Sequence, residues 1–189
     1  MNEIVFSIAV TSTGLLLLLS VVSLVRSSFE FFPPPSRTSW QYHLFWILFR
    51  LMFGGVVLLS FTTYNDNPFI NQAMRFAVWL PLWISGFCLA LYLSIYLGWE
   101  NAHGEPKGLK VSGFYKWSRN PIYMSSFFGM LGLGLFVNSG KVYVLLTLWS
   151  SIYVAAIFIE ERWLQRTYGA AFLSYKEQVP RFFGFPQKP

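Results

Sequence analysis

The chain has 189 residues, of which 54% are hydrophobic, 20% aromatic and only 12% charged. Soluble domains carry about 25% charged residues, so this composition excludes a disordered chain and a coiled coil. The single Cys88 permits neither an intramolecular disulfide nor a cysteine-rich zinc site. What remains is a small polytopic membrane protein. Its formal charge of +6 is read as loop charge rather than as a nucleic-acid footprint, because most residues have no water to face.

Five apolar runs follow in chain order: Ile4 to Val25, Tyr42 to Phe61, Phe76 to Gly98, Pro121 to Val137 and Val142 to Ile159. The first would reach about 33 Å as a helix, enough for a hydrocarbon core about 30 Å thick. Its leading charge is Glu3 and no A-x-A site follows, which argues against a cleaved signal peptide. The second run contains Arg50 and the third has Pro81 near its start. Only Asn138, Ser139, Gly140 and Lys141 separate the last two, so these form an antiparallel helical hairpin. Strands are not expected, because an open sheet edge cannot sit in lipid. The expected fold is all-α: five transmembrane helices plus a C-terminal amphipathic helix, in one membrane domain spanning 1–189. Within it, 1–63 carries the N-terminal spans and 98–189 the catalytic core.

Basic residues set the orientation. Arg26, Arg37, Lys107, Lys110, Lys116, Arg119, Arg162, Arg166, Lys176, Arg181 and Lys188 fall on the side of the C-terminus, against Arg75 and Lys141 on the other. That side is therefore read as cytoplasmic, with the N-terminus opposite. The stretch Phe29 to Gln41, with Pro33, Pro34 and Pro35, reads as a stiff interfacial connector.

Polar chemistry concentrates in two stretches on the cytoplasmic side, Gly98 to Pro121 and Glu160 to Pro189. The hairpin brings their ends together: Arg119 and Asn120 precede one helix, and Glu160 and Glu161 follow the last apolar residue of the other. Adjacent carboxylates at a helix C-terminus are disfavoured, unless the helix continues through Tyr168 with Gly169 as its C′ residue. Either Arg162 and Arg166 merely balance them at a solvated boundary, or one of them binds a cationic or hydroxyl-bearing ligand. Asn120 before Pro121 is the pattern of an N-cap followed by Pro at the first helical position. Free N–H groups there, with Arg119 beside them, suit a carboxylate. The plainer reading is that Arg119 and Lys116 only hold the loop on its face of the membrane.

Other features have plainer readings. Gly129, Gly132 and Gly134 lie inside an apolar helix with no preceding strand, so they indicate close helix packing rather than a dinucleotide fingerprint. Gly54 and Gly55 read the same way. Arg50 either snorkels to the interface or faces inward to bind a substrate anion. His103 is a solvated loop residue or a general base. His43 is read as an interface residue and Cys88 as an apolar filler. The stripe Leu164, Tyr168, Phe172, Tyr175 and Val179 fits an amphipathic helix stopped by Pro180. Beyond it, Phe182, Phe183 and Phe185 are candidates for a lipid-side substrate entrance.

Taken together, Arg119-Asn120-Pro121-Ile122-Tyr123, a Gly-rich helix, Glu160-Glu161, Leu164, Tyr168-Gly169, Tyr175 and Val179-Pro180-Arg181-Phe182 form a pattern. It resembles the isoprenylcysteine carboxyl methyltransferase family and its relatives, the phospholipid methyltransferases. The resemblance covers roughly Gly98 to Phe183. It implies an integral membrane methyltransferase using S-adenosylmethionine, with a small or lipidic acceptor and no metal. Carried onto matching positions, it implies cofactor binding by Leu109, Tyr115, Arg119, Asn120, Pro121, Tyr123, Glu160 and Glu161, with Arg119 and Glu160 catalytic. Two positions depart from the family pattern. Asn120 stands where the family usually has His. The eukaryotic enzymes have an Arg one turn before the glutamate, where this chain reads Val154-Ala155-Ala156-Ile157; this argues against prenylcysteine as the acceptor. Two rival readings are a membrane reductase using a nicotinamide and a structural or transport protein in which Arg119 and the glutamates form an ion-pair lock.

Overall fold

The computed structural model describes residues 1–26, 28–65, 70–98, 101 and 108–185. His103, Glu100, Lys107 and Lys188 lie outside the described residues. Helices carry the fold: α1 (Asn2–Val25), α2 (Trp40–Thr62), α3 (Gln72–Leu97), α4 (Pro121–Val137), α5 (Gly140–Tyr168) and α6 (Ala170–Gln178). No strand occurs among the described residues.

The apolar runs form helices at the expected places. α1, α2, α3 and α5 are each long and apolar enough to cross a membrane. α4 is equally apolar but has 17 residues, a rise of about 26 Å. It starts at Pro121 and ends at Asn138, whose φ of 55° is left-handed and stops the helix. α3 contains a π turn over Arg75–Trp79, in which the Leu80 N–H donates to the Arg75 carbonyl. Pro81 supplies the cause, since it has no N–H to continue the regular ladder.

Helix packing follows from small residues. A Cβ placed on Gly86 would lie 2.4 Å from the Gly129 nitrogen, and one on Gly132 would lie 2.4 Å from the Trp83 nitrogen. Thus α3 and α4 cross backbone against backbone, as expected of small residues between membrane helices. Gly55 meets the Ala9 side chain on α1 in the same way, with a built Cβ 2.4 Å from the Ala9 Cβ. Gly54 differs from the expectation: it faces open space, because one residue of helix rotates it about 100° off the α1 contact.

The starts of α1 and α5 are joined by Glu3 and Lys141, 3.1 Å apart. At the same end, Thr63 donates to Ser139 Oγ (2.7 Å), and the Asn65 N–H donates to the Val137 carbonyl (2.8 Å). Arg75, expected as a loop charge, is buried there instead. Its Nη2 donates to the Val137 carbonyl at 3.0 Å, and its guanidinium sits 4.7 Å from the Tyr64 ring centre. The last-turn carbonyl of α4 accepts this charge because its own helix offers no donor. At the opposite end, Arg162 of α5 donates to the Leu24 carbonyl of α1 at 2.6 Å. The last turns of α1, α3 and α5 and the first turns of α2 and α4 therefore share one end of the bundle, where the site lies.

Candidate active site

α5 does not stop at the glutamate pair. It runs on to Tyr168 and ends at Gly169, which takes φ 52°. Glu160 and Glu161 are therefore mid-helix neighbours, and consecutive helical residues point about 100° apart. This sends them to different partners. Glu160 accepts a hydrogen bond from the Tyr123 hydroxyl of α4 at 2.5 Å and lines a cleft of about 760 Å³. Glu161 is turned away, buried, and absent from the described lining of that cleft.

Glu161 holds two guanidinium groups. Arg119 Nη2 lies 3.1 Å from its Oε1, while Arg181 donates from Nε (3.0 Å) and Nη2 (2.9 Å) to its Oε2. The Asn120 side-chain amide donates to Glu161 Oε1 at 3.2 Å and to the Arg181 carbonyl at 3.0 Å. Asn120 is the N-cap residue of α4 and Pro121 follows it, yet no side-chain cap bond forms. The amide is directed instead to the acidic and carbonyl oxygens that arrive from α5 and the tail. This cluster ties the loop before α4 to the end of α5 and to the segment after α6. The Arg119 N–H, donating to the Pro180 carbonyl at 3.0 Å, adds to the same clasp.

The cleft has walls from several segments, among them Pro33 of the connector before α2 and Leu97 at the end of α3. Leu109, Lys110 and Tyr115 come from the loop after α3. Arg119, Asn120, Pro121, Ile122 and Tyr123 come from the α4 start, and Glu160, Trp163, Leu164 and Tyr168 from α5; Tyr175 comes from α6. The C-terminal stripe is divided between α5 and α6 by Gly169, and it covers this end of the bundle: Phe172, Tyr175 and Val179 are buried with Tyr115, against Leu109, Leu164 and Tyr168. Tyr175 donates to the Tyr115 carbonyl at 2.7 Å, and the Gly108 N–H donates to the Tyr168 hydroxyl oxygen at 3.1 Å. Burial, and secondly the charge of Glu160, raise the Tyr115 hydroxyl well above its ordinary value, so it is a neutral donor.

Three features give the cleft ligand chemistry. Glu160 offers a carboxylate that, among the described residues, Tyr123 alone is seen to engage. The Arg119 guanidinium is committed through Nη1 to the Lys176 carbonyl at 2.8 Å and through Nη2 to Glu161, while its Nε is buried without a partner among the described residues. The first-turn N–H groups of α4 have no intrahelical acceptor by helix geometry. Glu160 and the first turn of α4 thus line one cleft, with Arg119 beside them.

Of the residues singled out from the sequence, Leu109, Tyr115, Arg119, Asn120, Pro121, Tyr123 and Glu160 are brought together at this cleft. Glu161 is not. Arg50 is exposed on the outer face of α2 and lies outside the described cleft lining, and His103 lies outside the described residues. Phe183 lines a separate apolar groove with Phe114, Trp117 and Phe128, and Phe185 packs on Trp117 at 5.7 Å between ring centres. Sequence reasoning missed Trp163 and Asn101. Trp163 follows Glu160 by three residues, the spacing that puts two side chains on one helix face. Asn101 carried no such signal.

An all-helical integral membrane protein with a polar cleft at one end of its bundle is the class these features define. Residues 74–171 match the phospholipid methyltransferase family, and the chain belongs to that family of methyltransferases. No curated protein and no solved structure matches the chain. The matched residues include both glutamates, the Arg119-Asn120-Pro121 turn and the whole α4–α5 hairpin.

Proposed function

We propose that the chain is a methyltransferase that binds S-adenosylmethionine in the cleft between α4, α5 and the loop after α3, and methylates a small or lipidic acceptor at that face of the membrane. The observation that carries this reading is the convergence of Glu160, Tyr123, Arg119 and the first turn of α4 on one cleft. The donor set fits the molecule. The α4 N-terminus, with Arg119 beside it, would hold its carboxylate. Glu160 would hold its ammonium or ribose hydroxyls, with Tyr123 fixing the carboxylate's position. Tyr115 and Trp163 would pack on its apolar parts. Bound there, S-adenosylmethionine supplies a methyl group on a cationic sulfur.

The residues then act mainly by placement. An acceptor held in line with the methyl group, with water excluded, gains its rate from orientation. The buried aromatic cover from α6 supports such exclusion. In this reading α4 also crosses the bilayer, giving five spans, and the basic end carrying the cleft faces the cytoplasm. Within the single domain, residues 98–189 form the catalytic core.

The test is titration of the purified protein with S-adenosylhomocysteine and, separately, with a nicotinamide dinucleotide. Micromolar binding of the first, lost in Glu160→Gln, is the expected result. Binding of the dinucleotide instead would favour a reductase, and binding of neither would leave only a structural or transport role.

A further inference from the structure

Arg50 stands near the midpoint of the 23-residue α2 and is exposed. α2 packs on α1 and α5 through its other side, where Leu48, Met52, Gly55, Val56 and Leu59 are buried. No hydrogen bond, ion pair or ring contact to Arg50 occurs among the described residues. About 10 Å of helix rise separates Arg50 from His43, which closes the Trp40, Tyr42 and His43 group at the start of the helix. Trp and Tyr mark the level of the lipid head groups. A helical Arg side chain leans toward the N-terminal end of its helix, here toward that level, but its length covers only part of the distance. The guanidinium is left against hydrocarbon, among the costliest placements in a membrane protein.

The residues around Arg50 form a seam. Ile47, Arg50, Gly54, Val57 and Phe61 are all exposed. They recur at alternating steps of three and four, which keeps them within about 80° of one another around the helix axis. A Cβ built on Gly54 has nothing within 4 Å. Elsewhere in this bundle glycine marks a close helix crossing, as Gly55 does with Ala9 and Gly86 with Gly129. Gly54 offers the same kind of groove, one turn from the unpaired charge, with no helix in it among the described residues.

We propose that this face of α2 docks a membrane-spanning helix of a different protein, one carrying an Asp or Glu near its centre. The charge selects the occupant. A carboxylate at that depth accepts the guanidinium hydrogen bonds in pairs, and each group relieves the other of standing unpaired in lipid. Gly54 lets the two backbones approach closely enough for this contact. A second copy of this chain does not fit. Joined through the same face, it would set Arg50 against Arg50 at one depth, and none of the five apolar runs contains an Asp or Glu to answer the charge. This inference does not depend on what the cleft binds.

The test uses the full chain in phosphatidylcholine nanodiscs and synthetic membrane-spanning peptides of Leu and Ala between Lys pairs. One peptide has Glu at its centre and the other has Leu there, and both carry a light-activated diazirine one turn away. Cross-linked residues are identified by mass spectrometry. The Glu peptide is expected to cross-link Ile47, Arg50, Gly54 or Val57 at least fivefold more than the Leu peptide. Arg50→Leu should remove that excess, with a melting temperature at or above that of the unaltered chain. Gly54→Leu, which fills the groove and keeps the charge, should lower the excess at least fivefold. Leu91→Trp, on the outer face of α3, should leave it unchanged. Equal cross-linking by the two peptides, or an excess that survives Arg50→Leu or Gly54→Leu, would overturn the inference. A separate arm replaces the peptides with a phosphatidylcholine bearing the diazirine in its head group. Labelling of Arg50 by this lipid, with none by the Glu peptide, would assign the guanidinium to a lipid phosphate and overturn the inference as well.

Discussion

Tyr123 and Glu160 sit on the two arms of one helical hairpin and meet through a single hydrogen bond, with the Tyr123 hydroxyl as donor and Glu160 Oε1 as acceptor. Both residues line the polar cleft and a neighbouring cavity. In the proposed reading they mark the junction at which methyl donor and acceptor would come into contact.

This junction predicts the effect of Glu160→Gln. The substitution keeps size and one acceptor oxygen but removes the charge. A hydrogen bond to a charged group contributes about 1.5–3 kcal/mol, so S-adenosylhomocysteine affinity should fall about 10- to 150-fold. Calorimetric titration of both proteins in the same detergent checks this, and unchanged affinity would remove Glu160 from the site.

Glu161→Gln should behave differently. Glu161 neutralises Arg119 and Arg181 in a buried cluster. Breaking a buried pair costs about 3–5 kcal/mol, and the low end applies because the Arg181 side chain is 32% exposed. The expected outcome is a large fall in melting temperature, with any loss of affinity following from disorder of the loop before α4. A thermal unfolding series measured beside the Glu160→Gln protein separates the two roles. A variant as stable as the parent would contradict the structural assignment.

Glycine substitutions test the α3–α4 crossing. Gly86→Ala places a methyl group against the Gly129 backbone, which cannot move as a side-chain end would. Overpacking of this kind costs about 1–3 kcal/mol. Gly54→Ala meets nothing within 4 Å and should leave the melting temperature within about a degree. Comparing the two in one detergent controls for lipid effects, and equal stability would exclude the close crossing.

Arg75→Met removes the donor to the Val137 carbonyl and the contact with Tyr64. Because this lock lies at the end of the bundle remote from the cleft, stability should fall by about 1–3 kcal/mol while S-adenosylhomocysteine affinity stays within twofold. Chemical denaturation and titration of the same preparation give both quantities. A large affinity change would mean that the two ends of the bundle are coupled.

The amino-acid sequence by itself determined the membrane class, the all-helical fold, the hairpin and the meeting of the Arg119 and Glu160 regions. Those features follow from local rules: long apolar runs demand satisfied backbones, and a four-residue connection fixes neighbouring helices. It also marked Gly129 and Gly132 for close packing, although not the partners Gly86 and Trp83. Tertiary structure alone decided how the acidic pair divides its work. One residue of helical rotation gave Glu160 the cleft and Glu161 the two arginines, and no one-dimensional pattern records where α4 and the tail would stand around that helix. The same holds for Asn120, whose amide turned from its expected cap to oxygens remote in sequence, and for Arg75, whose acceptor carbonyl was freed only by the end of another helix. Phe45 and Phe49 are a further case: nothing in the linear pattern sets them apart, and only the folded chain puts them on one cavity wall with Glu160.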